Sequence, residues 1–279
     1  MNFLSLLSIE MGKQTKRLRT LIGPLGLLAI VLATAIGFKY SEMGHFVRGM
    51  TDQPNYRIFG SPLNALFLAR AVMPGTVYLF LPLFVSLVAG DMVSGEAADG
   101  TLRMILARGV DRFGLVLAKF LYSIVYVVFL TGFLGLTAFF VGWLFFGLGG
   151  LVSPAWPGVN YFGMQEGIHR LLMSYGVTMV YVMTVASIAF LISVFANNSL
   201  VPVGATMAVL LFSGVIGQIP AFESIKPYLF TTYSELFFKV FDNPMDTSLI
   251  HRGLLTLGVY IVGSFALSAV VFTRKDILT

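Results

Sequence analysis

Gly90–Lys119 reads GDMVSGEAADGTLRMILARGVDRFGLVLAK and lies between two long apolar runs, Ala71–Ala89 and Phe120–Gly147. It holds the acids Asp91, Glu96, Asp99 and Asp111 and the bases Arg103, Arg108, Arg112 and Lys119. Hydrocarbon does not solvate such a density of charge, so the stretch reads as a water-facing loop between two membrane spans. Within it Asp99 or Thr101 can cap a short helix on which Leu102, Ile105 and Leu106 recur at i, i+3 and i+4. An apolar stripe on a polar loop needs a cover. The cover is either the bilayer and the bundle or a soluble partner.

The remaining composition agrees with a chain that crosses the membrane repeatedly. Of its 279 residues 57% are hydrophobic and 11% charged, with mean hydropathy +0.87, whereas a soluble domain carries about 25% charge. Six runs approach the roughly 20 residues a bilayer requires: Leu21–Phe38, Ala71–Ala89, Phe120–Gly147, Leu171–Phe195, Leu200–Ile219 and Leu254–Phe272. The first exceeds a signal-peptide core and reads as a retained span. Ten of the eighteen Lys and Arg, crowded at span ends, fall on the side of the termini and the Gly90–Lys119 loop. That placement puts both termini in the cytoplasm of a cell-membrane protein. The net charge of +5 reflects loop placement rather than nucleic-acid binding. There are no cysteines, so disulfides and thiolate metal sites are excluded.

The expected fold is all-α, one permease-like domain over residues 1–279. Residues 1–20 form an amphipathic interfacial helix with Phe3, Leu7 and Met11 on one face and Lys13, Lys16 and Arg17 reaching lipid headgroups. Pro24 and Pro202 fall in first turns, where proline is tolerated, while Pro82 should deform span two. Gly147–Gly167, with Pro154, Pro157 and Trp156, reads as an irregular outer lid. Residues 220–241 keep a helical apolar period interrupted by Glu223, Lys226, Glu235 and Lys239, and read as short re-entrant helices at the outer boundary.

At Glu96, Gly100-Thr101-Leu102-Arg103, Arg112 and Lys119 the chain resembles the permease subunits of ABC-2 type transporters. Their loop between spans two and three carries an acid, then Gly-Thr-Leu, a short apolar helix, Pro-Val-x-Arg and a Lys opening span three. Gly109 stands here in place of that Pro, and Phe272-Thr273-Arg274-Lys275-Asp276 is similar to the family's terminus. The resemblance implies that Gly100–Arg108 is a coupling helix seated in a cleft of a separate ATPase. Leu102, Ile105 and Leu106 would fill the cleft, Arg103 and Arg108 would meet its acidic rim, and Glu96 would brace the loop. The set Glu96, Gly100, Thr101, Leu102, Arg103, Ile105, Leu106, Arg108 and Arg112 is therefore the expected ATPase-coupling site. The resemblance further implies a second permease copy or paralogue, with a translocation path between permeases lined by spans two and five and gated by Phe222 and Tyr228.

The chain itself is not expected to be an enzyme. Gly95-Glu96-Ala97-Ala98-Asp99-Gly100-Thr101 has the glycine spacing of a phosphate loop, but no Lys precedes its Thr, and two acids occupy the anion's place. His45, His169 and His251 are scattered. The chain is thus expected to hold no cofactor or metal; ATP and Mg would sit on the partner. No span has an ionisable residue in its middle, where each costs about 2.5–3.5 kcal/mol, which argues against an ion-coupled carrier. Thr178, Tyr181 and Thr184 fall on successive turns of span four, as helix–helix glue or as a path for an amphipathic, lipid-like substrate. The reading is an ATP-driven exporter subunit; the alternative is a non-transporting scaffold or signalling subunit that uses the same kind of ATPase.

Overall fold

The computed structural model describes residues 3–15, 17–41, 62–107, 109–155 and 158–274. Lys16, the first outer loop with His45, Arg108, Trp156, Pro157 and the ending from Lys275 lie outside the described residues. The described part is mostly helical. Helix α1 (Phe3–Gln14) leads to α2 (Leu18–Tyr40), α3 (Ala65–Ala98), the short α4 (Thr101–Ala107) and α5 (Arg112–Phe146). A hairpin of β1 (Leu151–Ala155) and β2 (Gly158–Phe162) precedes α6 (Met164–Phe195) and α7 (Val201–Ile216). A run of 3-10 turns then leads into α8 (Thr247–Arg274).

Five of these helices, α2, α3, α5, α6 and α8, are long and apolar enough to cross a membrane. That is the architecture of a multi-pass membrane protein. Their apolar windows are 56% buried in α3 and 67% in α6 but only 22% in α2 and α8, so α3 and α6 form the centre and the other two flank it. Polar groups clamp the central pair at both ends. The Ser193 hydroxyl of α6 accepts from the Val93 and Ser94 amides at 3.1 and 3.0 Å, and the Tyr175 hydroxyl donates to the Ala69 carbonyl at 2.8 Å. Thr184 ties α6 to α8 by donating to the Leu257 carbonyl at 3.3 Å, the glue reading of that residue.

Several boundaries differ from the sequence pattern. Helix α3 does not stop at Ala89 but runs on to Ala98, so Asp91 and Glu96 belong to a helix rather than to a water-facing loop. The N-terminal segment is two helices, because Arg17 takes an extended conformation (φ −80, ψ 134) that breaks the run before Leu18. Pro24 therefore sits inside α2 instead of in its first turn. The deformation expected near Pro82 takes the form of a wide π turn over Thr76–Phe80, which absorbs the missing amide donor. The irregular lid is in fact an antiparallel hairpin with Leu151 opposite Phe162 and Ser153 opposite Asn160.

Helix α7 has only 16 residues, about 24 Å at the α-helical rise. The 3-10 turns continue the path: Phe230, Tyr233, Leu236, Phe237 and Val240 enter the core, whereas 221–228 stay exposed. So the segment 220–241 is a string of short 3-10 helices and turns with one four-residue α-helix. Asp246 then starts α8 by accepting from the Ser248 hydroxyl at 2.7 Å and the Leu249 amide at 3.0 Å, and these bonds hold its carboxyl below the usual range.

Two glycines shape the α3–α4–α5 corner. Gly100 (φ +69) ends α3 and Gly109 (φ +74) follows α4. The proline that the resembling family carries at the second position holds φ near −65° and does not fit this turn. Gly109→Ala is expected to cost about 1–2 kcal/mol and Gly109→Pro more. Thermal unfolding of the purified variants in one detergent checks the order; an unshifted Gly109→Pro melt would mean that the corner adopts another turn.

Candidate functional site

The chemistry of this chain gathers where α1, α3 and α5 meet beside α4. Helix α1 lies against α5 with Leu6, Glu10 and Gln14 on its buried stripe. Glu10 is the only acid among the first twenty residues, and it points inward because Lys119 waits there. Lys119 is fully buried, with its Nζ 3.0 Å from Glu10 and 2.8 Å from Glu96, itself fully buried. Lys13 approaches the other oxygen of Glu96. Two acids and two bases thus form a neutral quartet that ties three helices together. One turn along, Asp91 receives both Arg17 and Arg19 at 2.5 Å.

These contacts correct two expectations. Lys13 and Arg17 do not reach out to lipid headgroups but return to the carboxylates of α3. In a low-dielectric boundary an opposite charge is the better partner than partly ordered water. Glu96, expected on a water-facing loop, is instead buried inside the bundle and paired with Lys13 and Lys119. Glu10 and Gln14 are the residues that the sequence reading missed; their signal was a lone acid and an amide four residues apart on an otherwise apolar stripe.

Helix α4 stands on this cluster. Leu102 is 3% exposed and packed in the chain's own core, while Ile105 and Leu106 are half-buried against it. The apolar stripe is therefore spent mainly within the bundle and cannot be the whole cover of a partner's cleft. The face left in the open consists of Arg103, Met104 (60% exposed) and Ala107. Gly100 and Thr101 form the hinge, with the Thr101 hydroxyl turned back toward the Glu96 carbonyl at 3.4 Å. Arg112 goes elsewhere: it donates to the Thr273 carbonyl at 3.2 Å and caps the end of α8, a favourable place for a cation. Arg108 lies outside the described residues.

At the opposite end, Arg170 at the start of α6 donates to the Val240 and Asp242 carbonyls at 2.8 and 3.0 Å and pairs with Glu166 at 3.0 Å. Phe222 and Tyr228 are 41% and 71% exposed, and both bond through their backbones to Ile225; the Tyr228 carbonyl accepts from the Tyr260 hydroxyl at 2.9 Å. The structure brings Glu96, Thr101 and Leu102 together and leaves Phe222 and Tyr228 apart from them.

The model of a family described as a protein of unknown function (DUF2705) matches residues 28–278. The uncharacterized protein YhcI of Bacillus subtilis (strain 168) is 24% identical over 201 residues, covering 70% of this chain. The matched stretch spans 64% of that protein's length.

Removing the cation from the quartet leaves two carboxylates buried together. Lys119→Met is expected to lower stability by about 3–5 kcal/mol, and Lys13→Met by less, since that amine is one-third exposed. Thermal melts in one detergent rank the two; equal losses would mean that Lys13 is as essential as the fully buried base.

Proposed function

The chain belongs to the DUF2705 family, and we propose that it is the membrane-spanning permease subunit of an ATP-driven transporter of the ABC-2 type, working as an exporter. The observation that carries this reading is α4. A seven-residue helix stands at one end of the bundle with Arg103, Met104 and Ala107 exposed, and its root is fastened to three helices by buried ion pairs. A push on the exposed face would move α3 and α5 as one body, because Leu102 and Glu96 are held inside. A separate ATPase with ATP and Mg supplies such a push, and nothing in the chain's own Gly95–Thr101 stretch suits a nucleotide: Gly95–Ala98 is helical and Glu96 is buried.

In this reading α7 with its following turns is the fifth of six crossings. Arg112 meets Thr273 at the α4 end, while Arg170 meets Val240 and Asp242 at the other end, so the path from Ala196 to Val240 traverses the bundle. Both termini and α4 then face the cytoplasm of the cell membrane. The exposed Leu211, Phe212 and Val215 of α7 are available to lipid or to a second permease copy, and exposed Phe222 and Tyr228 suit a gate that closes against that copy. The substrate class consistent with apolar spans is amphipathic or lipid-like.

Met104→Asp is the clean docking test, because Met104 is exposed while Leu102→Asp would break the core. It is expected to reduce co-purification of an ABC-type ATPase in mild detergent at least tenfold with an unchanged melting temperature. Unaltered co-purification, or no such ATPase with the parent chain, would sink the reading; hydrolysis that no cargo stimulates would favour a scaffold.

The absence of native cysteines makes orientation directly measurable. Ser94 is fully buried and reports on neither side, so the probes are Ala107→Cys and Glu223→Cys, both at exposed positions. An impermeant thiol reagent applied to intact cells should label the second and spare the first. The reverse pattern would invert the topology, and labelling of both would place α4 and the 3-10 turns on one side.

A further inference from the structure

The α4 platform leaves one polar feature of the molecule unused. A cavity of about 300 Å³ opens between the π turn of α3, the middle of α6, the end of α7 and the 3-10 turns. Its walls include Tyr78, Tyr181, Gln218, Lys226, Thr231 and Glu235. Tyr181 is 3% exposed and sits near the middle of the 32-residue α6, so the cavity reaches deep into a bundle that is otherwise apolar. Gln218, Lys226 and Glu235 are exposed where they line it, while Tyr181 is buried.

The groups on these walls have an uneven supply of partners. Ser213 and Thr231 bond to each other at 2.8 Å, the Thr232 hydroxyl donates to the Lys226 carbonyl at 2.7 Å, and Ser234 donates to the Thr231 carbonyl at 2.7 Å. The hydroxyls of Thr232 and Ser234 therefore keep only acceptor capacity. Beyond their backbone bonds, the side chains of Tyr78, Tyr181, Gln218, Lys226 and Glu235 make no hydrogen bond or ion pair among the described residues. The exposed Lys226 and Glu235 border one cavity and form no ion pair with each other. Their backbones are fixed by separate 3-10 turns, Lys226–Tyr228 and Phe230–Glu235, and this holds two opposite charges ready for a ligand that carries both. The donors available to an anion are the Lys226 ammonium, two tyrosine hydroxyls and the Gln218 amide. That surplus suits a phosphate, with its several acceptor oxygens, more than a two-oxygen carboxylate. The wide turn that displays Tyr78 is itself an irregularity frequent at functional sites.

We propose that this cavity binds an ammonium–phosphate zwitterion of the phosphoethanolamine kind, with Lys226, Tyr78 and Tyr181 on the phosphate and Glu235 on the ammonium. The group comes either from a membrane phospholipid or from a soluble phosphodiester. The proposal does not rest on an ATPase partner, since binding is read on the chain alone.

The test uses the full chain purified in detergent. Titration calorimetry with glycerophosphoethanolamine reads the soluble source. Native mass spectrometry after incubation with vesicles of phosphatidylethanolamine and phosphatidylglycerol in equal amounts reads the lipid source. Saturable binding in either arm is expected, at least tenfold weaker in Lys226→Gln and in Glu235→Gln. A lipid adduct without a calorimetric signal assigns the site to the lipid, and the converse assigns it to the soluble compound. Lys239→Gln, whose amine pairs with Asp242 at 3.3 Å and does not line the cavity, should bind as the parent does. In the arm that binds, the ligand without ammonium, glycerol phosphate or phosphatidic acid, should bind the parent more weakly and lose nothing further in Glu235→Gln. Melting temperatures without ligand identify any variant that fails to fold, and Tyr181→Phe, expected to weaken binding about threefold, then stands in for it. The proposal is overturned if neither zwitterion binds saturably. It is equally overturned if Glu235→Gln weakens the ammonium-free ligand as much as the zwitterion, or if folded variants bind as the parent does.

Discussion

A fully buried lysine fixes the geometry of one whole end of this protein. Glu10 and Glu96 both converge on Lys119, and each of the three residues comes from a different helix. Desolvating that many charges is expensive, and well-packed apolar residues could hold the helices as firmly. What the ions add is register. The quartet closes only when α1 lies across α5 at the turn of Glu10 and Lys13 and when α3 runs on far enough to bring Glu96 to the same level. The break at Arg17, the return of Arg17 and Arg19 to Asp91 and the abrupt corner at Gly100 all follow from that requirement.

The two ends of the bundle solve the problem of polar groups in different ways. At the α4 end, side-chain charges neutralise each other and leave a rigid base under a small exposed helix. At the other end backbone carbonyls carry the load. Arg170, Ser174 and Asn160 all donate to carbonyls of Phe237–Asp242, and so a string of turns with few regular hydrogen bonds is made compatible with the bundle. Between them, α7 ends after 16 residues and hands over to 3-10 turns. The polar cavity sits at that handover, because a helix that ends early leaves a space that turns with polar side chains border but do not fill.

The same geometry bears on how a force would travel. The α4 root and one wall of the cavity belong to one helix, α3, whose π turn at Thr76–Phe80 presents Tyr78 to the cavity. A wide turn is the weakest point in such a rod. Movement imposed at Glu96 would concentrate there, at the residues that face the proposed zwitterion. Transport reading and binding reading meet in that helix, though each has its own test.

The long apolar helices were legible from residue order alone, because about 20 uncharged apolar residues have few other destinies and charge marks where they end. The short helix at Thr101–Ala107 was legible too, from its i, i+3, i+4 leucines and isoleucine flanked by glycines. So was a disturbance at Pro82. The partners of the charged residues were not. A charge within a span-flanking stretch reads as a loop, and only the fold reveals that Glu96 and Asp91 meet bases from more than 70 positions earlier in the chain. For the same reason the stripe led by Leu102 looked free for a partner: periodicity says that a face is apolar, not which surface covers it. Phe222, Tyr228 and the cavity mark the same limit. Helical period in 220–241 concealed a series of tight turns whose shape depends on the carbonyl contacts of Arg170 and Ser174. Sequence determined which segments are apolar enough to cross a membrane and where charge accumulates. Tertiary structure decided which charges cancel and which remain to meet something else, since pairing depends on distances across helices that local order does not contain.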